Sequence, residues 1–187
     1  MAIEIIIDRY VGDGHTEPQR FMAKSETMRD AIIESVDSAK YDESGFSDVN
    51  LSGKDLSGEN LQGIAFDAPD FSNAILRGTN FKDATFTCMH FQNADLRDAD
   101  FGYVKQRWGA YFQDADLRGI NWEGSQIFKA EFFGAKMDEN GIKYALTTNG
   151  RLFKNPFKNL AARLNYHITR QVSQKLKNQF CNGSAGR

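Results

Sequence analysis

The residues able to do covalent chemistry are few and scattered. The chain has three histidines, His15, His90 and His167, and two cysteines, Cys88 and Cys181. No Ser or Cys sits in a nucleophile motif, and no Cys/His cluster has metal-ligand spacing. The glycines do not form a phosphate-cradling loop. The residues predict a non-enzyme with no cofactor and no metal centre. What remains is recognition chemistry, in three sets. Arg77, Arg97 and Arg118 recur at intervals of about twenty residues, and a stack of guanidinium groups grips carboxylates or phosphates. Asp95, Asp98 and Asp116 lie among them, so the same residues also read as a solvated ion-pair ladder. Tyr103, Lys105, Arg107, Trp108 and Tyr111 crowd one short stretch, a mixture that suits a contact surface. Leu160, Leu164, Ile168, Val172, Leu176 and Phe180 recur at steps of four, the apolar stripe of an amphipathic helix.

The arginines and the aromatic stretch must be positioned by the segment that contains them, which carries an unusual period. A large apolar residue falls at every fifth position: Phe46, Leu51, Leu56, Leu61, Phe66, Phe71, Leu76, Phe81, Phe86, Phe91, Leu96 and Phe101. Five fits neither the helical period of about 3.6 nor the strand period of 2. Small residues often stand two before the anchor (Ala74, Ala84, Ala94, Ala99), and Asp or Asn often stands just before it (Asn50, Asp55, Asn60, Asp70, Asn80, Asp95, Asp100). A short fixed repeat predicts a solenoid whose units stack on their neighbours. Taking every twentieth residue, like stands over like: Phe46, Phe66, Phe86; Leu51, Phe71, Phe91; Leu56, Leu76, Leu96; Leu61, Phe81, Phe101. The register then slips by one residue, and Phe112, Leu117, Trp122, Ile127, Phe132 and Met137 continue the anchors. The extra residue predicts a bulge within residues 103–111, with Trp108 either turned out as a contact or turned in as filling.

The pattern A-(D/N)-(L/F)-x-x, as in ADLRD and ADFGY, resembles the pentapeptide-repeat family over roughly Ser44 to Glu139. The resemblance implies an all-β solenoid, a right-handed quadrilateral β-helix of about 4–5 coils with four repeats per coil. It leaves function open, because the family's members do many things.

The chain reads as three parts: residues 1–43 as an N-terminal strand-plus-helix cap, 44–139 as the β-helix, and 140–187 as an exit turn and basic helix. The first part holds an Ile-rich strand over 2–11, a glycine turn, a short returning strand at Phe21 to Ala23, and a helix begun by Thr27 and Asp30. Lys54 and Glu59 occupy inward positions of the first coil, which places that coil at an open end under the cap. Residues 138–155 read as an exit turn, and Asn155-Pro156 as a helix start.

Net charge is −2, yet residues 42–139 carry 17 acids and 9 bases while residues 140–187 carry 9 bases and no acid. No apolar run reaches membrane-spanning length, so no transmembrane segment is expected. Acidic residues near the start argue against a secretory signal, and the two cysteines form no disulfide framework, which together predict a cytoplasmic protein. Leu160, Leu164, Ile168, Val172 and Leu176 are expected to cap the last coil or to join two chains as a homodimer; an anionic membrane is another surface for such a helix. Two function classes fit. One is a DNA-mimicking acidic rod that binds a DNA-processing enzyme such as gyrase, another topoisomerase or a nuclease, as the resemblance to gyrase-binding pentapeptide-repeat proteins implies. The other is a scaffold that docks a protein partner through the solenoid face and bulge, its basic tail contacting nucleic acid, membrane or an acidic partner. Direct nucleic-acid binding by the basic tail alone is a third, weaker reading.

Overall fold

A computed structural model describes residues 3–12, 15–40 and 47–152. The β-branched run near the start makes strand β1 (Ile3–Gly12). It pairs antiparallel with β2 (His15–Ala23), Ile5 opposite Phe21. The returning strand is thus longer than the three residues expected, because the hairpin pairing runs along most of β1. Helix α1 (Met28–Lys40) follows. The Thr27 hydroxyl accepts from the Asp30 amide at 3.1 Å and donates to the Asp30 carboxylate at 2.7 Å, closing the first turn. Ala31, Ile32 and Val36 bury one face of α1 against the core.

Strand β3 (Ser47–Asn50) pairs antiparallel with β1, giving a three-stranded sheet of order β2-β1-β3. From Asn50 onward the chain coils. Asn50 bridges Asp70 in parallel, Asp70 bridges His90, Tyr111 bridges Glu131, and Glu131 bridges Arg151. Each turn of the solenoid therefore takes about twenty residues. Short strands β4 (Ala65–Phe66), β5 (Thr85–His90) and β6 (Lys105–Tyr111) form a parallel three-stranded sheet along one side. Elsewhere the coils are joined by single-residue bridges.

The interior is a set of side-chain columns. Phe71, Phe91, Phe112 and Phe132 stack with centroids 5.0, 5.4 and 5.3 Å apart and nearly parallel planes. That spacing follows from strands about 4.8 Å apart. Leu56, Leu76, Leu96 and Leu117 form a second column with no exposed surface. Each such burial stabilises by about 1.5–3 kcal/mol. Among the described residues two buried side chains are polar: Thr79 satisfies its hydroxyl on the Leu56 carbonyl at 2.8 Å, and Ser35 of α1 does so on the Ile32 carbonyl.

The first coil leaves carbonyls that have no preceding coil to accept from. In later coils the matching carbonyls of Asn80 and Lys82 accept from Leu61 and Gly63. In the first coil Arg29 of α1 takes their place, its guanidinium donating to the Asn60 carbonyl and, at 3.0 Å, to that of Gln62. Lys54, expected under the cap, is half-buried and donates to the Glu4 carbonyl of β1 at 3.4 Å. Glu59 is also half-buried.

The far end departs from the sequence-based expectation. Residues read as an exit turn contain helix α2 (Glu139–Thr147). Asp138 caps it, one carboxylate oxygen accepting from the Gly141 amide at 2.9 Å. The other oxygen accepts from the Gly119 amide at 2.8 Å. One coil earlier, the equivalent Asp98 amide donates to the Arg118 carbonyl, so the Asp138 side chain supplies an acceptor that the next coil would have provided. Those two backbone donors, Gly141 first, hold the Asp138 carboxyl below the ordinary carboxylate value. Tyr144 of α2 stacks on Trp122 at 4.5 Å, continuing the column Leu61, Phe81, Phe101, Trp122. Its hydroxyl accepts from the Ile127 amide at 3.2 Å. The chain then returns to the ladder at Arg151, whose amide donates to Ala130 at 2.7 Å. A lid over part of the last coil had no signal in the five-residue pattern, since α2 interrupts it.

Candidate docking surface

Most corners of the coil are tight turns. The residue two after the anchor takes positive φ, as at Asn73, Asn93, Gly78 and Gly119, and the following amide closes back on the anchor carbonyl, as Ala74 does on Phe71 at 3.1 Å. One corner in each of three successive coils is different. Ala68, Cys88 and Trp108 hold that position after Phe66, Phe86 and Gln106, and none of the three enters the left-handed region. Side chains with a Cβ resist that conformation, Asn and Asp less so. Strands β5 and β6 run through this corner. The inward position before the next anchor is filled there by the larger Pro69 and Met89 in place of the usual Ala.

The bulge lies in this corner. Phe86 pairs with Gln106, but Cys88 pairs with Gly109, so Arg107 and Trp108 together face Thr87. Gln106 occupies the tier after Phe66 and Phe86, which stack at 5.1 Å, and its side chain accepts from the Phe128 amide at 3.3 Å. Trp108 turns outward, 67% exposed, with the Arg107 guanidinium 5.4 Å from its ring. Gly109 leaves room for its neighbours: a Cβ there would lie 2.9 Å from the Tyr111 ring and 3.0 Å from the Cys88 sulfur. Beside the bulge is an open recess of about 480 Å³, lined by Ala65, Asp67, Thr85, Thr87, Lys105 and Arg107 among others. Thr87 ties its rim, its hydroxyl accepting from the Ala68 amide at 3.1 Å and donating to the Asp67 carboxylate.

Of the five bulge residues singled out from sequence, Lys105, Arg107 and Trp108 lie together in this corner and are exposed. Tyr103 sits one corner earlier, its ring over Gly124 and its hydroxyl donating to Glu123 at 3.2 Å. Tyr111 closes β6, half-buried and stacked on His90 at 5.2 Å. Burial lowers the His90 pKa despite the nearby Asp70.

Arg77, Arg97 and Arg118 do stack on one side, and aspartates interleave them. Arg77 donates to Asp95 at 2.6 Å. Arg97 forks onto the same carboxylate at 2.9 and 2.8 Å and lies 3.9 Å from Asp116. Arg118 forks onto Asp116 at 2.8 and 2.6 Å. The bidentate bonds from Arg97 hold the Asp95 carboxyl well below the usual carboxylate range, with Arg77 adding to it. Arg118 does the same for Asp116. This side is therefore an ion-pair ladder whose cations are already engaged. The Asx residues before the anchors bond their own turns, as Asn80 does to the Lys82 amide at 2.9 Å and Asp100 to that of Gly102 at 2.8 Å.

Leu160, Leu164, Ile168, Val172 and Leu176 lie outside the described residues. A second open recess, about 470 Å³, lies against α2 and is lined by Trp122, Asn140, Lys143 and Tyr144 among others. Among the described residues no group of three or more His, Cys, Asp or Glu is placed to hold a metal ion. No helix of the described residues is long and apolar enough to cross a membrane.

The family model "Pentapeptide repeats (8 copies)" matches residues 46–83 and 66–102. No curated protein matches the chain. Among solved structures, a pentapeptide repeat protein from Nostoc PCC 7120 is 20% identical, with 56% of this chain and 84% of that chain covered and a TM-score of 0.42. One from the cyanobacterium Cyanothece 51142 is 22% identical, covering 57% and 64%, with a TM-score of 0.36. One from the Arabidopsis thaliana thylakoid lumen is 24% identical, covering 57% and 83%, with a TM-score of 0.28. Residues 46–102 are thus similar to pentapeptide repeats, over less than half of this chain.

Proposed function

We propose that this chain is a non-catalytic protein-binding module that docks a partner through the open corner and its bulge. The observation that supports this most is Trp108, held 67% exposed by a one-residue insertion in an otherwise regular coil. Trp and Arg are over-represented among the residues that dominate binding energy at interfaces. A filled interior leaves the outside of the coil and its ends as the contact surface. The test is affinity capture from bacterial lysate with wild-type and Trp108→Ala baits in parallel. A partner held by the first and lost by the second is expected. Partners held equally by both would refute docking at the bulge.

A second reading, a DNA-mimicking rod that binds a DNA-processing enzyme, is favoured by 17 acids against 9 bases over residues 42–139. Against it stands length, since about 4.75 coils at about 4.8 Å give only ~23 Å per subunit. Homodimerisation through residues beyond the described region would lengthen the rod. Added protein should then inhibit or protect gyrase in a supercoiling assay; no effect and no binding would remove this reading. Light scattering on the full chain and on one ending at Gly150 tests the dimer, which is wrong if both are monomers.

A further inference from the structure

We propose that the segment docking at the bulge is an acidic peptide with an apolar side chain, read by Lys105, Arg107 and Lys129 for charge and by Trp108 and Phe128 for the apolar group. The inference rests on the docking reading and names the chemistry of its partner. Three observations carry it. First, charge is distributed unevenly around the coil. Although residues 42–139 are acidic overall, the outward positions of this side of the coil, through the three open corners and the tight corner at Lys129 that follows them, hold Lys105, Arg107 and Lys129 against the single acid Asp67. That acid already accepts a hydrogen bond from Thr87.

Second, the cations differ in what they touch. Arg77, Arg97, Arg118 and Arg151 are each paired with a carboxylate of the solenoid. Among the described residues Lys105, Arg107 and Lys129 form no ion pair, and the Arg107 guanidinium lies against the Trp108 ring. The ladder arginines would have to give up an existing partner to bind an anion. The bulge cations would not, so an incoming carboxylate gains their attraction without that exchange. Third, the apolar groups are adjacent in register. Lys105 bridges Gln126 and Tyr111 bridges Glu131, which puts Phe128 in the tier after Arg107 and Trp108. Phe128 is 54% exposed and Trp108 67%. Successive tiers are about 4.8 Å apart, a spacing that lets one side chain of a bound segment meet both rings. A nucleic acid is the poorer occupant, because its continuous phosphate chain would run on from this small cationic corner over the acidic remainder of the coil.

The probe is a five-residue peptide of Glu-Glu-Phe-Glu-Glu sequence, titrated against the full chain while tryptophan emission is followed. Lys-Lys-Phe-Lys-Lys and a ten-nucleotide oligo-dT serve as comparators. The acidic peptide should bind at least tenfold more tightly than either comparator, and its affinity should fall with added salt. The double variant Lys105→Glu/Arg107→Glu should lose at least tenfold, whereas Arg77→Gln should stay within twofold; matched thermal melts establish that the variants are folded. Equal binding of the acidic and basic peptides, tighter binding of oligo-dT, or indifference to the double variant would each overturn the inference. With a captured partner the two proposals separate. Loss by Trp108→Ala alone keeps the docking site and removes the acidic peptide; retention by both variants removes both.

Discussion

Tyr144 joins helix α2 to the solenoid, and removing it tests whether α2 is a structural lid. Its ring lies 4.5 Å from Trp122 with planes 11° apart, and its hydroxyl accepts from the Ile127 amide at 3.2 Å. Tyr144→Phe keeps the ring and deprives that amide of its acceptor, which costs about 1 kcal/mol. Tyr144→Ala also removes the stacked pair, about 1 kcal/mol beyond area, and the apolar contact of a half-buried ring, about 1–2 kcal/mol. The expected losses are thus about 1 and roughly 3–4 kcal/mol in urea unfolding. Solenoids lose stability locally, because each coil touches only its neighbours. Hydrogen exchange should therefore quicken at the amides of Ile127 and Phe132 in the last coils, and be nearly unchanged at Leu61 and Phe71. If Tyr144→Ala unfolds within 1 kcal/mol of wild type, or if exchange quickens uniformly, α2 is not what closes this end.

Two further predictions follow from the ladder and the closing turn. The Asp95 and Asp116 carboxyls are held below their ordinary value, so the unfolded chain takes up protons at higher pH than the folded one. Their contribution is complete above about pH 5 and is lost as pH falls through the carboxylate range; the gap in urea midpoint between wild type and Asp95→Asn should shrink from pH 7 to pH 3, and a constant gap would refute the pairing. A Cβ at Gly150 would lie 2.6 Å from the Phe132 ring and 3.0 Å from the Ala145 carbonyl, so Gly150→Ala should cost about 1–3 kcal/mol by overpacking; a thermal melt matching wild type would show that the segment at Gly150 yields freely.

The repeat reading could see the columns because each anchor's inward direction is set by its own five residues. Phe71, Phe91, Phe112 and Phe132 stack because a regular coil repeats that direction at every tier. The one-residue slip before Phe112 was visible for the same reason, and it placed the insertion within residues 103–111. Which way Trp108 would turn was not visible, because that choice depends on Gln106 already standing in the tier over Phe86 and on Gly109 making room for Tyr111 and Cys88. The arginine stack was legible as a stack, but its engagement was decided across coils, where Asp95 meets both Arg77 and Arg97.

The ends of the solenoid were the least legible. Nothing in the spacing around Asp138 announces that one carboxylate starts a helix and also receives the amide of Gly119, a residue nineteen positions earlier. Nor does any local signal mark Arg29 as the donor to the first coil's carbonyls. Sequence alone determined the period of five, the columns it builds and the site of the insertion, since these are properties of the backbone repeat. Tertiary structure alone decided which charges pair, which aromatic faces water and how each end is closed, because those outcomes depend on groups brought together from a full coil or more away.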